Sequence, residues 1–366
     1  MTVFLPLTLI AFLQALAVSA VLTRAARALG PRCGMMDAPT LDRKIHSHPV
    51  PRSGGLAVYA AFWGCLGLNL LLARHVVPSL AWLPESVRHL AANTGMRALP
   101  LAGIAAGSLM IFVLGVIDDI RGLSPTVRLV VQIIATLPLI ATGTTVQAFL
   151  PWLAGAALTV GWVVLLTNSF NFLDNMNGLT SGIAAITAAV FALQSALAGE
   201  YYMMLLFGML AGAVLGFWFF NFPKASLFLG DCGSTHLGFL FGALSVQCTY
   251  YEPGAATQLP ILFPLVALGV PVFDTLSVML IRFRAGKPLM QGDRNHFSHR
   301  LEALGMSRTE AVVFIYAVTL CVGLAAVALR PLDWRYGLVQ AAVIVMLFAG
   351  ITWMEHVSRR KKTEEP

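Results

Sequence analysis

The chain is 366 residues long, 58% hydrophobic and only 11% charged, with a mean hydropathy of +0.78. A water-soluble fold needs roughly a quarter charged residues to wet its surface, so most of this surface must face lipid. The formal charge of +7 does not argue for nucleic acid, because the basic residues sit in short segments beside apolar runs, where lipid and substrate phosphates are the natural partners.

Apolar stretches long enough for a hydrocarbon core of roughly 30 Å fall, in chain order, near 3–22, 54–73, 99–117, 127–144, 149–167, 180–198, 202–221, 234–248, 259–281, 311–329 and 336–354. They predict an all-α, polytopic integral membrane protein of about eleven transmembrane helices. The first stretch lacks a basic leader region and reads as a span, not a cleaved signal. With the amino terminus outside, 19 of the 24 basic residues fall in inward segments, and only Arg74, Arg88, Arg97, Arg330 and Arg335 remain outside. That bias predicts an external amino terminus and a cytoplasmic carboxyl terminus. No linker or repeat divides the chain, so a single transmembrane domain is expected over 1–354, with a charged tail over 355–366. The cysteines at 33, 65, 232, 248 and 321 match neither a disulfide scaffold nor zinc spacing.

Polar motifs lie at the inward ends of these spans. The third span closes on Asp118-Asp119-Ile120-Arg121-Gly122. Paired carboxylates there are costly unless they meet water, a cation or a partner charge. They are either an ordinary solvated helix end or part of a phosphate-handling site, as base or metal ligands. After the fifth span come Asn168, Asn171, Asp174, Asn175 and Asn177. Asn168, Asn171 and Asp174 are successive helical turns apart and can share a face, and such groups suit a nucleobase, a ribose or a metal shell. The plainer alternative is capping of the next helix by Thr180.

The next inward loop runs from Asn221 to Gly230-Asp231-Cys232-Gly233-Ser234. Glycines flanking the aspartate permit a tight turn that aims backbone N–H groups at a phosphate while the carboxylate holds a cation; a simple Gly-Asp turn competes. Asp274 lies in the cytoplasmic half of the ninth span, which favours a functional or ion-pairing role. The long loop beyond it ends in Asp293-Arg294-Asn295-His296-Phe297-Ser298-His299-Arg300. His296 and His299 can converge on one ligand; zinc would need further ligands absent nearby, and with Arg294 and Arg300 alongside an anionic pyrophosphate is the more natural target. Together the motifs suggest a magnesium-assisted reaction of a phosphate-bearing substrate, the cation bridging groups that would otherwise repel, with manganese as the other candidate ion. The residues alone do not separate an enzyme from a transporter, although a transporter would more typically place its site at the bilayer midplane.

These motifs, with Asp37-Ala38-Pro39, Arg43-Lys44-Ile45-His46 and Pro49-Val50-Pro51-Arg52-Ser53-Gly54-Gly55 before them, make the chain similar to the polyprenyl-phosphate N-acetylhexosamine-1-phosphate transferases over about residues 35–305. It looks closer to the branch that starts O-antigen, enterobacterial common antigen or teichoic-acid linkage than to the phospho-MurNAc-pentapeptide translocase, which stays as the near alternative; a transporter or a non-catalytic scaffold is the distant one. The resemblance implies transfer of an N-acetylhexosamine 1-phosphate, GlcNAc by default, from a UDP-sugar to undecaprenyl phosphate with release of UMP, at the cytoplasmic face of a bacterial inner membrane. Its implied partners are the UDP-N-acetylhexosamine, undecaprenyl phosphate and membrane lipid, with a homodimer left open.

Carried over, the resemblance makes Asp118, Asp119, Asp174 and Asp231 catalytic, with magnesium on Asp231 and Asp118 and Asp119 as further candidate ligands. Asp118 or Asp119 would bind or deprotonate the lipid phosphate. Asn171, Asp174 and Asn221 would line the nucleotide and metal region, His296 and His299 would contact the diphosphate, Lys44 and His46 would approach a phosphate, and Asn168, Asn177, Asp293, Arg294 and Arg300 would be further substrate-binding residues. Two positions depart from the family pattern: Asn177 stands where a second aspartate is common, and Ser298 interrupts the histidine run. Active enzyme with altered sugar-nucleotide contacts is the expectation.

Overall fold

The computed structural model describes residues 3–37, 49–146, 150–250, 259–288, 295–329 and 334–364. The chain divides into two compact units, Met1–Cys248 and Thr249–Pro366.

Among its described residues the first unit holds nine α-helices: α1 (Phe4–Leu29), α2 (Gly54–His75), α3 (Glu85–Ala92), α4 (Ala98–Arg121), α5 (Pro125–Ala141), α6 (Trp152–Leu173), α7 (Leu179–Leu197), α8 (Tyr201–Asn221) and α9 (Asp231–Gln247). In lipid, only a helix satisfies every backbone N–H and C=O within its own segment. Outer helices turn large apolar side chains outward, as α1 does with Leu5, Leu9, Ile10, Leu13 and Val21. Its buried stripe is instead small or weakly polar, through Thr8, Ala11, Ala15 and Ser19. Lipid tails are as apolar as leucine, so helices here associate through close packing of small residues. On α8, Gly208, Gly212 and Gly216 meet Thr8, Phe12 and Leu16 of α1, and a Cβ at Gly212 would collide with the Phe12 carbonyl oxygen.

Helix α9 is the pillar of this unit. Cys232 through Ser245 is buried without a break, with α2, α4 and α6 packed around it. Being walled by protein on all sides, it can carry Ser234, Thr235 and His236 at membrane depth. Among the described residues the only strands are β1 (Met36–Asp37) and β2 (Val50–Pro51), an antiparallel pair in the register Met36↔Pro51 and Asp37↔Val50. They fix the chain just before α2.

The second unit contains α10 (Phe263–Ala267), α11 (Gly269–Arg284), α12 (Phe297–Ala303), α13 (Arg308–Ala328) and α14 (Trp334–Glu364). Helix α13 packs against α10, α11 and α12. It opens on a capping box in which Ser307 Oγ accepts from Glu310 N at 3.3 Å and Glu310 Oε2 from Ser307 N at 2.7 Å.

Among the described residues seven helical segments, built on α1, α2, α4, α6, α7, α8 and α13, are long and apolar enough to cross a membrane. The α10–α11 pair, bent by 67°, makes an eighth if taken as one span. The protein is thus an all-α, polytopic membrane protein with seven or eight such helices among the described residues, where eleven were expected. The other three expected stretches are also helical but shorter: α5 has 17 residues, or about 26 Å of rise, the apolar part of α14 is Arg335–Gly350, and α9 is both short and polar at its start.

Candidate active site

The carboxylates gather where α4, α6 and α9 end or begin. Gly230, at φ +76°, turns the chain into α9, and a Cβ there would strike the Arg52 carbonyl oxygen and sit 2.8 Å from Asp119 Oδ2. Only glycine satisfies both the left-handed backbone and the close approach. Asp119 uses this clearance to cap α9 from a neighbouring helix: its Oδ1 accepts from Asp231 N and its Oδ2 from Cys232 N, each at 2.9 Å. A carboxylate on exposed N–H groups at a helix start is favourable both as hydrogen bonds and against the helix dipole.

Asp118 turns the other way. Its Oδ1 accepts from Leu123 N at 2.6 Å, closing the turn after α4, and its Oδ2 pairs with Arg128 Nη1 of α5 at 3.0 Å. The adjacent aspartates therefore have separate duties, one holding its own turn and the other holding α9.

Asp231 is the first residue of α9. Its Oδ1 accepts from Asn171 Nδ2 at 2.5 Å, and the same amide reaches Ser234 Oγ at 3.1 Å. Asp174, half-buried at the end of α6, feels Asp231 and Asp119 as like charges and Arg52 as an opposite one. Burial first, then the charge of Asp231, pushes its carboxyl up to about 7, while the neighbouring Thr180 side chain works in the opposite direction. Thr180 is not the cap of α7: the N-cap is Gly178, which offers no side chain.

The other amides have structural partners. Asn168 pairs with Gln132 of α5 and with Val164 O of its own helix. Asn221 accepts from Gly178 N at 2.8 Å and donates to Leu227 O at 2.9 Å, tying two connections together. Asn177 Nδ2 donates to Pro223 O at 3.3 Å, which a carboxylate at this position could not do. Lys44, His46, Asp293 and Arg294 lie outside the described residues.

Two arginines complete the cluster that sequence reasoning did not place in the site. Arg52 donates to Asp37 Oδ1 at 2.6 Å, and its charge also reaches Asp174 and Asp231, as that of Arg128 reaches Asp231. Five carboxylates, Asp37 included, thus face two guanidinium groups. The excess negative charge and hard oxygen donors fit a divalent cation of the magnesium type. Among the described residues no three His, Cys, Asp or Glu side chains converge on one point to cage a metal. Magnesium needs no such cage, since it keeps several waters and takes one or two carboxylates plus substrate phosphate.

In the second unit, His296 stands just before α12 with its Nδ1 2.8 Å from Asp274 Oδ2. His299 Nδ1 is 3.3 Å from Glu302 Oε2, whose partner oxygen accepts from Arg308 Nε at 3.1 Å. Burial holds the His299 imidazole below its ordinary range, against the pull of Glu302. Arg300 donates to Ser277 Oγ at 3.0 Å.

Comparison with known proteins bears directly on this arrangement. The glycosyl transferase family 4 profile matches residues 101–249, the stretch that supplies Asp118, Asp119, Asp174 and Asp231. A decaprenyl-phosphate N-acetylglucosaminephosphotransferase of Mycolicibacterium smegmatis is 32% identical over 317 residues, covering 79% of this chain and 74% of the relative. The chain belongs to glycosyl transferase family 4. Another family relative, a probable undecaprenyl-phosphate N-acetylglucosaminyl 1-phosphate transferase of Bacillus subtilis, is 29% identical over 332 residues, 88% of this chain and 84% of its own length. The undecaprenyl-phosphate alpha-N-acetylglucosaminyl 1-phosphate transferase of Salmonella typhi is 27% identical over 305 residues, 79% of this chain and 75% of the relative. This family member is accordingly a membrane enzyme of the polyprenyl-phosphate sugar-1-phosphate transferase type.

Proposed function

We propose that the protein transfers N-acetylglucosamine 1-phosphate from UDP-N-acetylglucosamine to undecaprenyl phosphate, beginning a lipid-linked cell-surface polysaccharide. The observation that carries this reading is the Asp231 corner: a carboxylate at a helix start, flanked by Asn171, Ser234 and Asp174, in a chain whose relatives are named for that reaction. An oxygen of the lipid phosphate attacks the β-phosphorus of the UDP-sugar. The new P–O bond forms as the bond from that phosphorus to the bridging oxygen breaks, and UMP leaves with the bridging oxygen.

A phosphate monoester, with a second pKa near 6, is largely a dianion at neutral pH, so the attacking group needs no strong base. That suits Asp118 and Asp119, all four of whose oxygens already accept a hydrogen bond. Their role is to fix the corner, and transfer is direct, with no aspartyl-phosphate. Asp231 and Asp174 would hold magnesium, which when bound supplies positive charge to a diphosphate that the carboxylates alone would repel. Asn171 orients Asp231, and Asn177 sets the α6–α7 connection against Pro223. His296, His299 and Arg300 would supply donors to the diphosphate of the donor.

The inward excess of basic residues supports eleven spans in a bacterial cytoplasmic membrane, with the amino terminus outside and the site facing the cytoplasm, where UDP-sugars are made. The test is purified protein with magnesium, undecaprenyl phosphate and a panel of labelled UDP-sugars. Sugar phosphate should enter the lipid phase with stoichiometric UMP, best with UDP-N-acetylglucosamine. No transfer with any donor contradicts the enzyme assignment to this reaction; a better donor elsewhere in the panel corrects the sugar alone.

A further inference from the structure

The histidine assigned to the diphosphate is itself held by a group that neither the reaction nor the family comparison assigns. Asp274, five residues after Gly269 at the start of α11, is fully buried. Its Oδ2 lies 2.8 Å from His296 Nδ1, and its Oδ1 accepts from Phe297 N at 2.6 Å. One turn further along α11, Ser277 Oγ accepts from Arg300 Nη2 at 3.0 Å. Residues 274 and 277 share a face of α11, and their partners 296 and 300 are one turn apart along α12. Two points of contact thus fix both the position and the rotation of α12 on α11. His296 is 5% exposed and Asp274 not at all, so a carboxylate is committed to this contact with no water to share it.

We propose that Asp274 is the positioning residue of His296. A carboxylate only accepts, so it demands a proton on Nδ1. That fixes the ring's orientation and tautomer and leaves Nε2 as the nitrogen through which His296 addresses substrate. The inference rests on the assignment of His296 to the diphosphate. A purely structural Asp274 would only cap α12 through Phe297 N, and asparagine separates the two roles. Asp274→Asn keeps an acceptor oxygen for the Phe297 N–H but turns an N–H donor toward His296, forcing the ring's proton from Nδ1 to Nε2.

The experiment compares wild type with Asp274→Asn, Asp274→Glu, His296→Gln and the Asp274→Asn/His296→Gln double variant. Turnover and KM are measured with UDP-N-acetylglucosamine, undecaprenyl phosphate and magnesium, alongside melting temperature in detergent. Asp274→Asn is expected to lower kcat on the order of 100-fold with the melting transition retained. Asp274→Glu, which keeps the charge, should recover about tenfold of that loss. The double variant should be no slower than His296→Gln alone, because both changes act through one ring. Multiplying effects, or unaltered kcat in Asp274→Asn while His296→Gln is impaired, would overturn the positioning role and leave the histidine assignment standing. Unaltered turnover in His296→Gln would overturn both. If Asp274→Asn loses its melting transition, Asp274→Glu decides alone: lowered kcat at similar KM supports the proposal, and wild-type kcat overturns it.

Discussion

At the scale of single residues, charge and hydrogen bonding at Asp231 can be separated. Asp231→Asn retains an oxygen for the Asn171 amide and the backbone N–H that Asp119 holds, but loses the negative charge. It should fold with a near-native melting temperature and turn over at least about 100-fold more slowly; wild-type rates would remove Asp231 from the cation's ligands. Asp174 gives a pH signature. With its carboxyl at about 7, a proton competes with the cation below that pH, so the magnesium concentration for half-maximal rate should rise up to about tenfold per pH unit as pH falls below 7 and level off above it. A flat requirement between pH 6 and 8 would show that Asp174 holds no cation. Asn177→Asp replaces a donor to Pro223 O with a second acceptor, and its expected effect is a changed ranking of UDP-sugar donors in the panel assay.

The glycine-flanked Asp231 and the Asp118-Asp119 pair were legible in sequence because their residue types are improbable beside apolar runs. Their duties were not. Nothing local reveals that Asp118 meets Arg128 across a turn while its neighbour reaches a helix more than a hundred residues away. Arg128 read only as an inward charge, and Arg52 as a motif residue without a role, until the fold set them among carboxylates.

At the scale of elements, one device occurs twice. Asp119 of α4 caps α9 at Asp231, and Asp274 of α11 caps α12 beside His296. In each case a carboxylate from one helix fixes the start of another, and the functional side chain stands at that start. Asp119→Ala should therefore cost about 1–2 kcal/mol through the lost cap, read as a lower melting temperature, and should weaken UDP-sugar turnover by displacing Asp231. Unchanged stability would mean that α9 is held without it. The α1–α8 seam makes a separate claim. Gly212→Val sets a branched side chain against the Phe12 backbone and should destabilise by about 1–3 kcal/mol. The apolar stretches revealed these helices readily, but not the seam, because a glycine in a membrane helix shows its partner only after packing.

At the scale of the whole molecule, hydropathy gave helices in every expected stretch, and the structure distinguishes them by environment. Seven or eight meet the demands of a full crossing, whereas α9 is enclosed by protein, so hydropathy marks it as weak just where packing makes polarity tolerable. Orientation is open to direct measurement through the exposed Cys33, at the end of the first span. An impermeant thiol reagent should label it from the cytoplasmic side, and a cysteine placed at His89 from the opposite side; reversed labelling would invert the proposed topology. The central claim concerns which bond breaks. With UDP-N-acetylglucosamine carrying radiolabel on its β-phosphorus, sugar-1-phosphate transfer to undecaprenyl phosphate moves the label into the lipid phase while unlabelled UMP stays in water. Label retained in water as UDP, with sugar alone in the lipid, would contradict the account.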